Sequence, residues 1–334
     1  MKILVTGATG YVGHSLALTL AQRGNHVHIL VRNSKSSFIP QHPYLHVFSG
    51  DITKKETIGR AMQGCEKVFH TAALVQHYAS NPSIFYDINV EGTRNVLYAA
   101  LQFGVQKFIF TSTCGVIGPS LHEPMNETDP RITGFDSDYD LSKFLAEKIV
   151  IEYSKKGLPA VIVSASKVFG PGIETHPISV NSTIKRFVEG KLTFCPGNPH
   201  FISNYVFIND LVNGHILAME KGTSGEKYIL GGESLSYAEF FQAIRSISGT
   251  RGILLPIPKS IARLYGYWHV AQSKLSGKEP VFSAKSVKQI YCNKSFSSSK
   301  AIEELGYSIT PFVEALQPTI QFLNPDLCVT PAIQ

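Results

Sequence analysis

The chain is 334 residues long, 43% hydrophobic and only 17% charged, with a formal net charge of +6. That composition excludes a disordered chain, a coiled coil and a charge-rich scaffold, and at roughly 150 residues per domain the length suggests two domains. The charge is unevenly placed: residues 245–300 carry ten Lys or Arg against the single acid Glu279, whereas residues 301–334 carry four acids and no Lys or Arg.

Short β-branched and aromatic runs alternate with helical stretches through the first half. Strands are expected at 2–6, 26–31, 45–49, 67–72, 107–112 and 159–164, and helices at 11–23, 53–63, 82–103 and 137–156. Strands separated by helical segments of this length imply right-handed βαβ crossovers, hence an α/β fold with a doubly wound parallel sheet of Rossmann type. Beyond residue 168 the rhythm breaks into Pro- and Gly-punctuated stretches such as Gly170-Pro171-Gly172. These predict a smaller, loop-rich substrate-binding part. The expected division is 1–167 for nucleotide binding, with 205–230 returning to it, and 168–204 plus 231–330 for substrate.

Five cysteines (Cys65, Cys114, Cys195, Cys292, Cys328) are widely spaced with no CxxC pair, which fits a reducing compartment rather than a disulfide framework. The opening residues Met1 to Gly7 read as a strand and not as a signal peptide. No run approaches the roughly 18 apolar residues of a membrane span, so a cytoplasmic protein without a transmembrane segment is expected. Twelve histidines include no HExxH or Cys/His cluster, and no metal is expected.

Thr6-Gly7-Ala8-Thr9-Gly10-Tyr11-Val12-Gly13 closes the first strand and opens the first helix. Gly7 permits a tight turn, Gly10 lets a pyrophosphate approach the backbone, and Gly13 lets helix and strand pack closely. The helix N-terminus offers free N–H groups to phosphates. A glycine triplet alone marks only a tight turn; its place after a strand inside a βαβ unit points to a dinucleotide. Arg32 follows the second strand. An acid there would hold the ribose 2′-OH of NAD, whereas an Arg pairs with a 2′-phosphate, so NADP is preferred over NAD; the alternative is a surface Arg. Asp51, followed by Ile52, stands after the third strand, either to accept from the adenine amino group or to cap a helix.

Tyr139 and Lys143 lie four apart on one face of a predicted helix. A cation beside a phenol favours phenolate and would lower its pKa toward the range of a general acid/base. Chance alone predicts about one such pair in this composition. Thr113, at the end of the fifth strand, faces the crevice where a doubly wound sheet holds its ligand, and could polarise an oxygen shared with Tyr139. Asn89 reads either as the holder of a helix or relay water, or as a helix-surface amide.

With Gly50-Asp51, His70-Thr-Ala-Ala73, Asn89-Val-Glu-Gly-Thr93, Val168-Phe-Gly-Pro-Gly172 and Tyr205-Val-Phe-Ile-Asn-Asp210 added, the sequence resembles the extended short-chain dehydrogenase/reductases. This is the NAD-dependent epimerase/dehydratase superfamily, and the resemblance includes its dihydroflavonol 4-reductase-like branch. It implies Tyr139 as catalytic acid/base, Lys143 on the nicotinamide ribose, Thr113 at the Ser/Thr position, Ala72 along the cofactor, and Ser166 and Val168 near the carboxamide. A homodimer is implied by the same resemblance.

Three departures bear on the reaction. Cys114-Gly115 replaces the Asp-Glu pair that sugar-nucleotide dehydratases need for elimination. Ser203 stands where nucleotide-sugar enzymes place an Arg on the diphosphate. Ser164-Ala165 replaces the usual Arg-Pro. The expected function is NADP-dependent reduction of a ketone or aldehyde of a small molecule, or oxidation of the alcohol. An NAD-dependent epimerase of a sugar or lipid-linked sugar is the alternative, and a non-catalytic dinucleotide sensor the third reading. No nucleic-acid partner is expected. The basic 245–300 segment is expected to border the substrate entrance, serving an anionic substrate or docking near an anionic membrane; a solvated helical face is the alternative. Tyr265, Tyr267 and Trp268 read as an aromatic platform or as packing in the smaller domain.

Overall fold

The computed structural model describes residues 1–327 except 77, 122, 136, 174–178, 277–279 and 281–282; Lys278, Glu279 and Cys328 therefore lie outside the described residues. Among the described residues there are twelve strands: β1 (Lys2–Thr6), β2 (His26–Val31), β3 (Leu45–Ser49), β4 (Lys67–His70), β5 (Lys107–Thr113), β6 (Ala160–Ala165), β7 (Lys167–Phe169), β8 (Thr193–Pro196), β9 (Ile202–Phe207), β10 (Lys227–Leu230), β11 (Glu233–Ser236) and β12 (Leu254–Ile257).

Seven of them form one parallel sheet in the order β10-β6-β5-β4-β1-β2-β3. Side chains alternate between its faces, and both faces are buried in its central strands, while the edge strand β3 is largely exposed. In β1, Ile3 and Val5 join the core beneath the helices Tyr11–Gln22 and Ile208–Lys221, whereas Leu4 joins the opposite core beneath Gly92–Gln102 and Asp138–Lys155. Ile109 and its neighbours Phe108 and Phe110 in β5 divide the same way. Central strands apolar at successive positions, such as Ile3 to Val5 and Phe108 to Phe110, are buried from both sides, which is the doubly wound arrangement that the alternation predicts.

The order reverses between β1 and β4, because β2 and β3 extend to one side while β5 and β6 extend to the other. Connections leave in opposite directions there and open a crevice at the carboxyl ends of the strands. Thr6, His70 and Thr113 end β1, β4 and β5 at that rim.

Three expectations need correction. The stretch 53–63 is not one helix but a 3₁₀ turn, Lys55–Thr57, followed by a single helical turn, Gly59–Met62. The Asp51 carboxylate caps the Thr53 amide, and the chain tightens around the Thr57 hydroxyl instead of propagating a helix. The stretch 82–103 is helical throughout but contains a π-helical turn, Asp87–Glu91. The part beyond 168 is not loop-rich: it holds the sheet β11-β9-β7, the pair β12-β8, and the helices Val180–Val188, Tyr237–Ser248, Lys259–Ser276 and Ala284–Ile290. Its prolines and glycines punctuate short elements rather than replacing them. No helix among the described residues is long and apolar enough to cross a membrane.

Gly7 combines a left-handed backbone with a close approach of another strand's end. Its φ is +77°, and a Cβ there would stand 2.6 Å from the Ala72 nitrogen. Gly7→Ala is expected to cost at least about 2 kcal/mol, combining left-handed strain with a backbone clash, and to lower the urea midpoint accordingly. Unfolding at the wild-type midpoint would contradict this packing.

Candidate active site

The glycine turn leaves its helix N-terminus unclaimed. Gly10 is the N-cap of Tyr11–Gln22, no side chain caps that end, and no acid lies in its first turn. A Cβ on Gly10 would meet only the Gly7 carbonyl oxygen, at 3.3 Å, so Gly10 has open space beside it. Gly13 has the opposite surroundings: a Cβ there would collide with the Gly7 carbonyl and stand 2.5 Å from Thr71 Oγ1, so close helix packing requires glycine. Thr9 and Val12 lie in this turn and helix start. The Tyr11 hydroxyl donates to the Gly170 carbonyl at 2.7 Å and ties the helix to the Gly170-Pro171-Gly172 loop. An uncapped N-terminus beside an open glycine surface suits a pyrophosphate.

Behind the turn runs a buried hydrogen-bond chain whose directions can be assigned. The Thr93 hydroxyl donates to the Asn89 carbonyl at 2.7 Å, so its oxygen accepts from His70 Nε2 at 3.0 Å. His70 Nδ1 is then the acceptor, receiving the Thr6 hydroxyl at 2.7 Å. Burial, with Lys143 nearby, pushes the His70 imidazole down to about 3, so the ring is neutral and this tautomer is fixed. Asn89 continues the chain. Its Oδ1 accepts from the Leu74 amide at 2.7 Å, and its Nδ2 donates to the Leu74 carbonyl and to Ser142 Oγ. Ser142 Oγ donates to the Tyr139 carbonyl at 2.7 Å. Asn89 is fully buried in the π-helical turn, so it is not a surface amide; the arrangement holds a helix.

Tyr139 sits in the first turn of Asp138–Lys155, whose N-cap Ser137 accepts from the Asp140 amide. Gly115 brings that turn against the end of β5. A Cβ on Gly115 would fall on the Asp140 carboxylate and lie 3.3 Å from Thr113 Oγ1. Thr113 Oγ1 accepts from the Gly115 amide at 3.1 Å. Thr113 and the Tyr139 turn therefore meet at one rim of the crevice.

The electrostatics of the Tyr–Lys pair differ from the sequence expectation. Burial pushes the Tyr139 phenol up, and the adjacent Asp140 carboxylate adds to the shift. Lys143 does not pull it down. The lysine is itself buried, its Nζ lies 4.0 Å from the Phe110 ring centroid, and desolvation lowers it to about 7 despite support from Glu147. A charge that burial half-removes cannot act on its neighbour as a solvated ammonium would. Glu147 is held in turn by Ser112 Oγ at 2.5 Å and by Lys227 at 2.6 Å, which joins the helix to β5 and β10.

The family model described as the NAD dependent epimerase/dehydratase family matches residues 3–231. The chain belongs to that family. A 3-beta-hydroxysteroid dehydrogenase of Mycolicibacterium neoaurum is 30% identical over 92% of this chain and 86% of that protein. A Synechocystis sp. protein carrying the dihydroflavonol 4-reductase name is 29% identical over 96% of this chain and 94% of that one. The crystal structure of gox2253 superposes with a TM-score of 0.80 at 31% identity, covering 97% and 98% of the two chains. This epimerase/dehydratase-family chain is an NAD(P)-dependent enzyme of the extended short-chain dehydrogenase/reductase type.

The remaining sequence candidates of the family member fall around the same crevice or beside it. Arg32 is exposed just beyond β2, one strand from the glycine turn. Asp51 spends one carboxylate oxygen on the amide and hydroxyl of Thr53, whereas the helical segment that follows has Lys54 as its N-cap and no side-chain cap, so the helix-cap reading is corrected: the carboxylate closes a local turn. Ile52 is buried, with its carbonyl bound by Asn95. The Ala72 amide donates to Thr6 Oγ1 at 3.4 Å. Ser166 Oγ is buried with no hydrogen-bond partner, and Val168 lies in β7. An orphaned buried hydroxyl costs about 1–3 kcal/mol unless a ligand completes it. With the uncapped helix end, it makes these residues fit a dinucleotide.

Sequence reasoning missed Asp140, Gln289 and His70. Gln289 Nε2 donates to Asp140 Oδ2 at 2.8 Å and joins the helix Ala284–Ile290 to the Tyr139 turn. No local pattern could announce that bond, since it spans |i−j| = 149. His70 was visible only as part of a short motif. Among the described residues no group of His, Cys, Asp or Glu is placed to hold a metal.

The lowered Lys143 pKa has a sign that can be checked. Between pH 7 and 10.5 the unfolded chain binds a proton at this lysine that the folded chain does not, so its contribution to stability rises with pH across that window. Urea unfolding is expected to show wild type gaining stability relative to Lys143→Met as pH rises from 7 to 10. A constant difference would mean that Lys143 stays charged in the folded protein.

Proposed function

We propose that the protein is an NADP-dependent oxidoreductase that interconverts a ketone and a secondary alcohol of a small, largely apolar molecule. The observation that carries this reading is the meeting of Thr113 and the Tyr139 turn across Gly115 at the sheet's switch point. The cofactor would be held by Gly7, Thr9, Gly10, Tyr11, Val12 and Gly13 at the pyrophosphate. Arg32 would hold the 2′-phosphate, Asp51 and Ile52 the adenine end, and Ala72, Lys143, Ser166 and Val168 the nicotinamide half. When bound, NADP(H) supplies or accepts the hydride.

The chain's own residues manage the proton. Tyr139, kept as a neutral phenol by burial, gives its hydroxyl proton to the carbonyl oxygen in the reducing direction. Thr113 Oγ holds that oxygen and fixes its angle to the phenol. Lys143, with a pKa lowered to about 7, takes up its charge most readily when the phenol becomes phenolate, so the pair acts as a coupled unit. Glu147 supports the charged form of Lys143. Asn89 is a positioning residue acting through Ser142.

The substrate class follows from the relative named as a 3-beta-hydroxysteroid dehydrogenase and from the absence of an Arg at Ser203 to grip a diphosphate. Elimination chemistry is disfavoured by Cys114-Gly115, which offers no second acid and base. The division of labour proposed for the chain is 1–167 with 205–230 for nucleotide and 168–204 with 231–330 for substrate.

The test is NADPH oxidation with a panel of ketosteroids and simpler ketones, and the reverse assay with the alcohols. Tyr139→Phe is expected to lower kcat by about 10²–10⁴-fold with KM for NADPH little changed. In the same assay Arg32→Ala is expected to raise KM for NADPH about tenfold or more while leaving KM for NADH alone. Undiminished turnover in Tyr139→Phe would overturn the assignment.

A further inference from the structure

The helix Lys259–Ser276 is built inside out. The residues it turns inward are small: Ala262, Gly266 and Ser273 are buried. A Cβ on Gly266 would stand 2.6 Å from the Ala284 nitrogen, so this helix packs its bare backbone against the start of Ala284–Ile290. The large apolar residues face outward instead. Ile261, Leu264, Tyr265 and Trp268 follow the i, i+3, i+4, i+7 spacing of one helical stripe, and their exposures are 57%, 71%, 50% and 56%. Tyr267 flanks them at 59%. The packing reading of Tyr265, Tyr267 and Trp268 is thereby corrected: these exposed rings do not fill the smaller domain.

A contiguous exposed stripe of this kind on a helix marks an interaction surface. The charge around it selects the occupant. Lys259 and Arg263 are exposed on the same helix, Arg251 is exposed shortly before it, and Glu279 is the only acid in residues 245–300. A two-fold interface would bring this basic surface against its own copy, bases facing bases. Tyr and Trp side chains, apolar with one polar atom each, suit the boundary between headgroups and acyl chains. A helix with a wide apolar face, basic flanks and too little hydrophobicity to span a bilayer lies in the plane of a membrane surface.

We propose that Lys259–Ser276 docks the protein onto an anionic lipid bilayer, with the Ile261–Leu264–Tyr265–Trp268 stripe buried among acyl chains and the basic residues on the headgroups. The next helix, Ala284–Ile290, carries Gln289, which is bonded to Asp140 beside Tyr139. The docking face is therefore one helix removed from the proposed catalytic turn, a short path for an apolar substrate. The docking itself does not depend on which substrate is used.

Trp268 is the protein's single tryptophan, so its emission reads the stripe directly. The full-length chain is titrated with phosphatidylcholine vesicles containing phosphatidylglycerol, and with vesicles of phosphatidylcholine alone. A blue shift and co-sedimentation are expected with the anionic vesicles, both weakened by high salt and at least about tenfold weaker with neutral ones. Ile261→Glu with Leu264→Glu, both at exposed positions, is expected to abolish binding while leaving the urea midpoint and NADPH turnover with a water-soluble ketone unchanged. Emission that is unaffected by anionic vesicles, equal binding to both lipids, or a blue shift without lipid that accompanies a doubled mass would each overturn the proposal.

Discussion

The buried chain from Thr6 through His70, Thr93, Asn89 and Ser142 to the Tyr139 carbonyl is the constraint on which the crevice depends. It connects the strand that carries the glycine turn to the helix that carries Tyr139 and Lys143. Each link leaves the next a single role as donor or acceptor, and an imidazole that burial keeps neutral is the only ring state that satisfies both neighbours. In a dry interior every one of these groups would be costly to leave unpaired, so the chain is made as a whole or not at all. The π-helical turn at Asp87–Glu91 belongs to this arrangement. It widens the helix at the point where Asn89 must reach both Leu74 and Ser142.

The same burial sets the chemistry. Tyr139 and Lys143 share a helix face, yet the structure pushes the phenol up and the ammonium down, each toward its neutral form. A phenol held neutral keeps its proton available to give away, and a phenolate left in its place would favour the charged form of Lys143. Glu147, anchored by Ser112 and Lys227, limits how far Lys143 falls.

The sheet was legible because its signal is local. Runs such as Lys107–Thr113 are apolar at successive positions, and the glycine turn falls directly after the first of them. The glycine spacing of the turn also agrees with the close approaches at Gly7 and Gly13. What the sequence did not disclose depends on distant partners. Four-residue spacing put Tyr139 and Lys143 on one face, but spacing says nothing of the Phe110 ring beneath the ammonium. Asp140 is one of two acids in a helix's first turn, and only the fold brings Gln289 to it across 149 residues. The smaller part reads as loops from its sequence because Pro and Gly stand between its elements, although those elements include a helix as long as Lys259–Ser276. Its basic surplus was visible by counting, whereas the outward turn of Leu264 and Trp268 was not, since a helical stripe of apolar residues ordinarily faces a core.

Reduction of a carbonyl by the proposed cofactor differs from epimerisation in where the hydrogen ends. The most direct measurement is the mass of the product formed from NADPH bearing deuterium on the transferring face of its nicotinamide C4. An alcohol one mass unit heavier than that formed from unlabelled NADPH is expected, with an equal amount of NADP produced. A product isomeric with its substrate, free of deuterium and formed with no net consumption of NADPH, would contradict it.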